Sequence, residues 1–343
     1  MLSDEKYAEL FPSSSYMSAN LSPLFGEYAQ TWLDGQEIVI GTRRNYLSAL
    51  NKYWMPALAR IPLNEITPAV LRKVVANATW DSPTIKRTAI MLLRIVFNTA
   101  MGDELLDSNP AKILKLPAKT VKLIEPFTVQ DADQLIAWMY ANFTSNALRI
   151  YAPYFEFAFY TGMRSGEIAA LRWDEIDYVQ RTAYVCRIIA NRKVEERTKT
   201  RVFRAVKLNS RALHALARAK EIAEDRKTQF HRVSTHSEYI FQPSGSAGFV
   251  TAPNVSNKHF AAALKANGMR VRRQYNCRHT YATICLMAGM NPAFIAGQLG
   301  HTVRMLLSTY AKWIDSTADW HELDRLEDRL IGTKSVCENT ALV

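Results

Sequence analysis

The sequence predicts a mainly α protein with a small β-sheet, arranged as an N-terminal helical domain followed by an α+β domain. Three observations lead there. Apolar residues recur at helical spacing over most of the chain. One pair of runs rich in β-branched and aromatic residues, Thr182–Ile189 and Arg201–Leu208, interrupts that pattern. A basic stretch with three prolines divides the chain, and 343 residues suffice for two cores.

In chain order, residues 1–20 contain Pro12-Ser13-Ser14-Ser15, lack a sustained period and read as a flexible arm. Residues 21–108 read as a bundle of four or five helices. Phe25, Tyr28, Ala29 and Trp32 share one face of the first, with Ser22-Pro23 as its start. Tyr46, Leu47, Leu50 and Tyr53 line the second, after Gly41-Thr42. The third runs from Thr67-Pro68 through Val75, and the fourth starts at Ser82-Pro83 with Ile85, Ile90, Leu93 and Val96-Phe97 inward. Residues 109–125 carry Pro110 and Pro117 between Lys112, Lys115, Lys119 and Lys122, a composition that excludes a long helix and reads as a basic linker.

The second domain, 126–343, opens with helices through Trp138 and from Leu148 to Tyr160. The two β-rich runs form the expected hairpin, with the polar segment Ala190–Thr200 between them. Helices fill the remainder from Ser210, apart from a loop around Gln242–Thr251.

The composition, 48% hydrophobic and 22% charged, is that of a soluble globular protein, and no apolar run is long enough to span a bilayer. Asp4, Glu5 and Glu9 near the start argue against a secretory signal, so a cytoplasmic location is expected. Cys186, Cys277, Cys285 and Cys337 form no C-x-x-C pair, which suits free thiols, and the seven histidines show no metal-ligand spacing. A net charge of +11 favours a polyanionic partner. The charge is concentrated: residues 41–120 hold 12 basic against 5 acidic residues, and 187–273 hold 19 against 6. The two ends are acidic, which leaves two basic surfaces to grip one nucleic acid.

Two segments carry chemistry. In Thr161–Asp177, Gly162 permits a tight entry into a helix, Arg164 lies in its first turn, and Glu167 is spaced to hold the guanidinium. A solvated Arg–Glu pair would have the same spacing. Asp174, Glu175 and Asp177 read as the solvated end of that region. In Asn276–Trp313, Arg278 opens a helix that stops at Gly289, and His301 follows a second that stops at Gly300. Tyr310 ends a third turn or helix. Helix boundaries allow such side chains to converge on one ligand.

Together, T-G-x-R-x-x-E at Thr161–Glu167, R-H-T-x-A-T at Arg278–Thr283, L-G-H at Leu299–His301 and S-T-Y at Ser308–Tyr310 resemble the tyrosine recombinase (phage integrase) family. The likeness covers roughly residues 21 to 330. It implies a helical core-binding domain and a catalytic domain that clamp DNA. Arg164 and Arg278 match the two arginines that bind the scissile phosphate, a task suited to planar, permanently charged forks. Lys199, in its T-K-T context, matches the lysine that protonates the departing 5′-oxygen, with Lys193 and Lys207 as local rivals. His301 matches the histidine that supports phosphate and nucleophile, and Tyr310 matches the nucleophile of a 3′-phosphotyrosine intermediate. Glu167 and His279 take supporting places.

One position departs from the pattern. Where the family's H-x-x-R motif has histidine, this chain has Tyr275, a phenol suited to hydrogen bonding but a poor proton shuttle at neutral pH. The implied chemistry conserves the phosphoester bond energy and calls for no cofactor or metal. Arg43, Arg44, Lys86, Arg87, Arg272 and Arg273 are the candidate DNA contacts, mainly to phosphate. The implied partners are double-stranded DNA at specific attachment sites, three further protomers in a tetramer, a host DNA-bending protein and an excisionase. Trp320, Leu323, Leu326 and Leu330 form an apolar face for docking on a neighbour or on their own domain. Integration and excision of a phage or mobile element is the leading expectation. A recombinase that resolves chromosome or plasmid dimers shares the chemistry, and a catalytically silent DNA-binding regulator would not need all five of Arg164, Lys199, Arg278, His301 and Tyr310.

Overall fold

The computed structural model describes residues 22–118, 124–190, 192–196, 204–229, 238–243, 250 and 253–311. The chain divides into two compact units, residues 1–122 and 123–343. Lys199, residues 1–20 and the segment with Trp320, Leu323, Leu326 and Leu330 lie outside the described residues.

The first unit is helical. Helix α1 (Phe25–Asp34) buries Phe25, Ala29, Trp32 and Leu33. Helix α2 (Ile40–Ala49) passes through a π-turn at Leu50–Trp54 into α3 (Met55–Leu58). The wider turn brings Leu50, Tyr53 and Trp54 into the core together, while Leu47, expected on that face, is exposed. Helices α4 (Pro68–Asn77) and α5 (Pro83–Gly102) begin as their sequences foretell: Thr67 and Ser82 accept the backbone N–H three residues on, and proline takes the first helical position. Along α5, Ile90, Leu93, Val96 and Phe97 are buried, but Ile85 in the first turn projects into solvent.

The stretch expected to be a linker from residue 109 is, in its first part, core. Asn109 is buried and bonds the Arg94 carbonyl and the Asn98 side chain, and Ala111 and Leu114 complete the apolar cluster. Arg94 in turn donates to the carbonyls of Ala111, Lys112 and Leu114, within and just after a 3₁₀ turn at Pro110–Ile113.

The second unit is built around α7 (Tyr151–Thr161), a helix buried on nearly every side. Against it pack α6 (Val129–Asn142), α9 (Ser210–Gln229) and α11 (Tyr275–Met287). Thr128 and Asp131 close a reciprocal cap at the start of α6. The short α8 (Ser165–Ala169) follows α7, and α10 (Pro253–Ala266) completes the main core. Helices α11, α12 (Pro292–Leu299) and α13 (Val303–Tyr310) share a smaller cluster of Ala282, Leu286, Ile295, Leu299, Leu306 and Tyr310.

The β structure is more divided than one hairpin. Strands β1 (Ile176–Asp177), β2 (Thr182–Val185) and β5 (Arg204–Lys207) form an antiparallel sheet in which Val185 faces Arg204 and Thr182 faces Lys207. A separate hairpin of β3 (Arg187–Ala190) and β4 (Lys193–Glu196) interrupts β2 and β5. The polar run read as a connection thus contains a strand of its own, because β4 has its apolar partner in β3 rather than in its own sequence.

Among the described residues no helix is long and apolar enough to cross a membrane, and Cys186, Cys277 and Cys285 are free thiols.

Gly162 ends α7 in the left-handed conformation (φ 62°), so it closes a helix rather than opening one. A Cβ there would lie 2.6 Å from the Tyr281 ring and 2.7 Å from Leu299. Gly162→Ala should therefore destabilise the second unit by about 2 kcal/mol or more in chemical denaturation. Gly102→Ala, where an added Cβ meets nothing within 4 Å, should be neutral or mildly stabilising; equal midpoints for the two variants would contradict the packing at Gly162.

Candidate active site

Five short segments of the second unit meet at one place. The α7–α8 turn supplies Arg164, the strand β5 supplies Arg204, the first turns of α11 supply Arg278 and His279, and the α12–α13 turn supplies His301. Tyr310 is the last residue of α13.

Arg278 is the centre. Its side chain is 1% exposed, and it donates to the Gly162 carbonyl at 2.7 Å and to the Leu299 carbonyl. Both carbonyls lie beside left-handed helix ends, at Gly162 itself and next to Gly300 (φ 61°), which point them away from their own helices. Nη2 of Arg278 also lies 2.7 Å from His301 Nε2. None of these hydrogen-bond partners of Arg278 is a carboxylate. Burial, reinforced by Arg164, pushes its pKa down to about 10, so the group is still a cation at neutral pH.

Since the guanidinium can only donate, His301 Nε2 accepts and the imidazole carries its proton on Nδ1. That N–H is buried without a partner, as is Nε of Arg278. Each unsatisfied donor costs about 1–3 kcal/mol. A cation ringed by unfilled donors is an anion site.

Arg164 is the residue before α8 rather than inside its first turn. Its guanidinium is held by Glu167 Oε1 at 3.0 Å and reaches the Gly300 carbonyl at 3.5 Å, with about a third of the side chain exposed. The other oxygen of Glu167 accepts the Arg164 backbone N–H at 3.0 Å and pairs with Arg204. The Glu167 side chain is fully buried. Burial alone would raise its pKa, but Arg204 and Arg164 outweigh that and hold the carboxyl below its usual range. It is thus not the solvated ion pair its spacing also allowed.

Arg204 had no signal beyond its place in a β-rich run. Besides Glu167 it bonds the Gln298 carbonyl, and Gln298 Oε1 accepts the Lys207 backbone N–H at 3.0 Å. Lys207 itself lies on Thr182 Oγ1 at 2.9 Å, and Lys193 is an exposed residue of β4.

Tyr310 is 1% exposed, and its hydroxyl lies 2.7 Å from His279 Nδ1. Burial, together with Tyr275, pushes the phenol pKa up to about 12. Tyr275 is 44% exposed at the start of α11 and sets its ring edge-on to His279 with centroids 4.9 Å apart. His279, expected only as support, therefore contacts the hydroxyl directly.

The other expected contacts divide. Arg43 donates to the Leu33 carbonyl and pairs with Asp34 at the end of α1, and Arg87 donates to the Pro117 carbonyl. Lys86 lies over the Trp80 ring and Arg272 over the Phe127 ring. Arg44 and Arg273 are exposed. One residue of the acidic run after α8 is not solvated: Asp174 is exposed, but Glu175 is 7% exposed, receives Arg187 at 2.7 Å and accepts the Arg172 backbone N–H at 2.8 Å. Sequence alone did not reveal that partner, which the β3 strand delivers.

Burial and the neighbouring arginines, chiefly Arg278, push His279 and His301 down to about 4. Unfolded histidines bind protons below about 6.5, whereas these resist protonation until near 4. Stability is therefore present above 6.5 and lost as pH falls from 6.5 towards 4. Thermal unfolding should show a lower midpoint at pH 5 than at pH 7, and replacing both histidines should flatten that drop. An unchanged slope in the double variant would contradict the assignment.

Known proteins resemble this chain in sequence and in fold. The phage integrase family matches residues 126–315, and the phage integrase N-terminal SAM-like domain matches residues 24–77. The phiRv2 prophage integrase of Mycobacterium tuberculosis is 27% identical over 281 residues, covering 81% of this chain and 71% of that protein. The integrase of Mycobacterium phage D29 is 26% identical over 314 residues, covering 89% and 78%. Among solved structures, the Tn1549 transposon integrase in complex with a circular intermediate DNA superposes with a TM-score of 0.67 at 16% identity, covering 87% of this chain and 98% of that one. A lambda integrase dimer bound to a core site gives 0.65 at 17% identity, covering 91% and 85%. With more than half of its length matched by the family, and with its mainly helical fold shared, this chain belongs to the phage integrase family of site-specific tyrosine recombinases.

Proposed function

We propose that the chain cuts and rejoins DNA at attachment sites through a 3′-phosphotyrosine bond to Tyr310, in the integration and excision of a phage or mobile element. One observation carries the reading: a buried Arg278, bonded to main-chain carbonyls and His301, is followed in the chain by His279, whose Nδ1 lies 2.7 Å from the hydroxyl of the buried Tyr310. A scissile phosphate supplies the anion that such a site calls for.

In this reading Arg164 and Arg278 hold the non-bridging oxygens and stabilise the charge that builds there during displacement. The Nδ1–H of His301 is a third donor. Glu167 and Arg204 position Arg164 and act at one remove from the substrate. Lys199 protonates the 5′-oxygen; it precedes Arg204 by five residues, so the chain keeps their Cα atoms within roughly 18 Å. Tyr275 is a binding group at the rim.

Arg44 and Arg273 are the better candidates for direct phosphate contact, because Arg43, Arg87 and Arg272 are already engaged within their own units. DNA binding would then weaken steeply with salt. A lambda integrase tetramer bound to a Holliday junction is among the similar structures. It favours a tetramer of this chain on paired sites, with the segment around Trp320–Leu330 as the docking element and a host DNA-bending protein and an excisionase as accessory partners.

The test uses nicked duplexes built from the sequences flanking the protein's own gene. The wild-type chain should trap a covalent adduct resistant to denaturant, and Tyr310→Phe should trap none. Arg278→Lys should lower the rate by about 100- to 1,000-fold, since a single ammonium cannot reproduce the fork. An adduct that persists in Tyr310→Phe would remove the nucleophile from its place.

A further inference from the structure

We propose that His279 takes the phenolic proton from Tyr310 as the hydroxyl attacks the phosphodiester. This role rests on the recombinase reading above and adds to it the identity of the base.

The geometry is direct. Nδ1 of His279 lies 2.7 Å from the Tyr310 hydroxyl, within proton-transfer distance, with ring centroids 5.6 Å apart. The other candidate bases near the site are spoken for. His301 uses Nε2 to accept from Arg278 and carries its proton on the other nitrogen, so it can donate but has no lone pair to offer. Both oxygens of Glu167 are engaged by Arg164 and Arg204. Tyr275, at the place where histidine would be expected, brings only a phenol, one turn before His279 on the same face of α11.

The need for a base is plain. A phenol whose pKa is pushed up to about 12 is ionised to only about one part in 100,000 at pH 7. His279 is held neutral, and so able to accept, because burial and the Arg278 charge both oppose its protonation. A phosphate bound on Arg278 would cancel part of that charge. The basicity of His279 would then rise when substrate is in place. The groups that face the ring are Tyr275 and Arg278 on its own helix, Tyr310 from α13, and His301 from the α12–α13 turn.

The step balances without a co-reactant. The bond between Tyr310 Oη and phosphorus forms as the bond from phosphorus to the 5′-oxygen breaks. The phenolic proton moves to Nδ1 of His279, and the departing oxygen takes a proton from Lys199. In the reverse step the 5′-hydroxyl attacks phosphorus and gives its proton back to Lys199, while the bond from phosphorus to Tyr310 Oη breaks and the imidazolium returns its proton to the leaving phenol.

The experiment measures adduct formation by the full chain on the same nicked duplexes, with either oxygen or sulfur at the bridging 5′ position. A thiolate leaves without a proton, so the sulfur duplex isolates attack from leaving-group protonation. His279→Asn keeps an acceptor near the hydroxyl but cannot carry the proton. It should slow the reaction by about 100-fold or more on both duplexes, with the gel-shift affinity and thermal midpoint of the wild type. Its rate should climb about tenfold per pH unit from 7 to 9 as phenolate forms, while the wild-type rate stays flat. Lys199→Ala should be slow on oxygen and restored on sulfur.

A His279→Asn rate within threefold of wild type would overturn the proposal. So would restoration by the sulfur duplex, which would put His279 on the leaving group. A slow rate that ignores pH would reduce the residue to packing. Absence of any wild-type adduct, or an adduct in Tyr310→Phe, would instead sink the recombinase reading on which the proposal stands.

Discussion

The site depends on burying one positive charge without a carboxylate hydrogen-bonded to it. Arg278 is 1% exposed, and enclosing an ionised side chain is expensive unless its hydrogen bonds are met. Here two helix ends meet those of its terminal nitrogens. α7 ends at Gly162 and α12 ends just beyond Leu299, and the carbonyls released at those ends accept the guanidinium. Helix C-termini carry partial negative charge, so they solvate the cation without neutralising it. A paired carboxylate would have stabilised the empty site and competed with a phosphate. Carbonyl dipoles leave the net charge in place for the substrate.

The same constraint explains the surroundings. The left-handed turn at Gly162 leads straight to Arg164, and the one at Gly300 leads straight to His301. Arg164 and His301 are thereby fixed by the turns that solvate Arg278. Glu167 stands one step back, where it binds Arg164 and Arg204 and ties strand β5 to the α7–α8 turn. In the sequence, Lys199 precedes Arg204 by five residues.

Much of this was legible in the sequence, and the exceptions have a common cause. Thr67-Pro68 and Ser82-Pro83 announced helix starts, because capping chemistry is local. The places of Arg164, Arg278, His301 and Tyr310 followed from motifs with fixed spacing. What stayed hidden depends on partners distant in the chain. Glu175 reads as a surface carboxylate until strand β3 brings Arg187 to it, and Arg204 reads as a strand charge until it meets Glu167, 37 residues away. The β3–β4 hairpin and the π-turn at Leu50–Trp54 likewise answer to packing rather than to local preference. His279 was seen as support because nothing in R-H-T-x-A-T tells which way its ring turns. The helix spacing that puts Tyr275 on the same face was available; the Tyr310 hydroxyl at its end was not.

The most direct test of the whole account is to find the atom that holds the DNA. Trypsin should release residues 305–312 as one peptide, since Arg304 and Lys312 flank it. Mass spectrometry of a nuclease-trimmed adduct should place the added 3′-nucleotide mass on that peptide, with fragmentation locating it at Tyr310. The same mass on any other peptide, or on Ser308 or Thr309 within this one, would contradict the account.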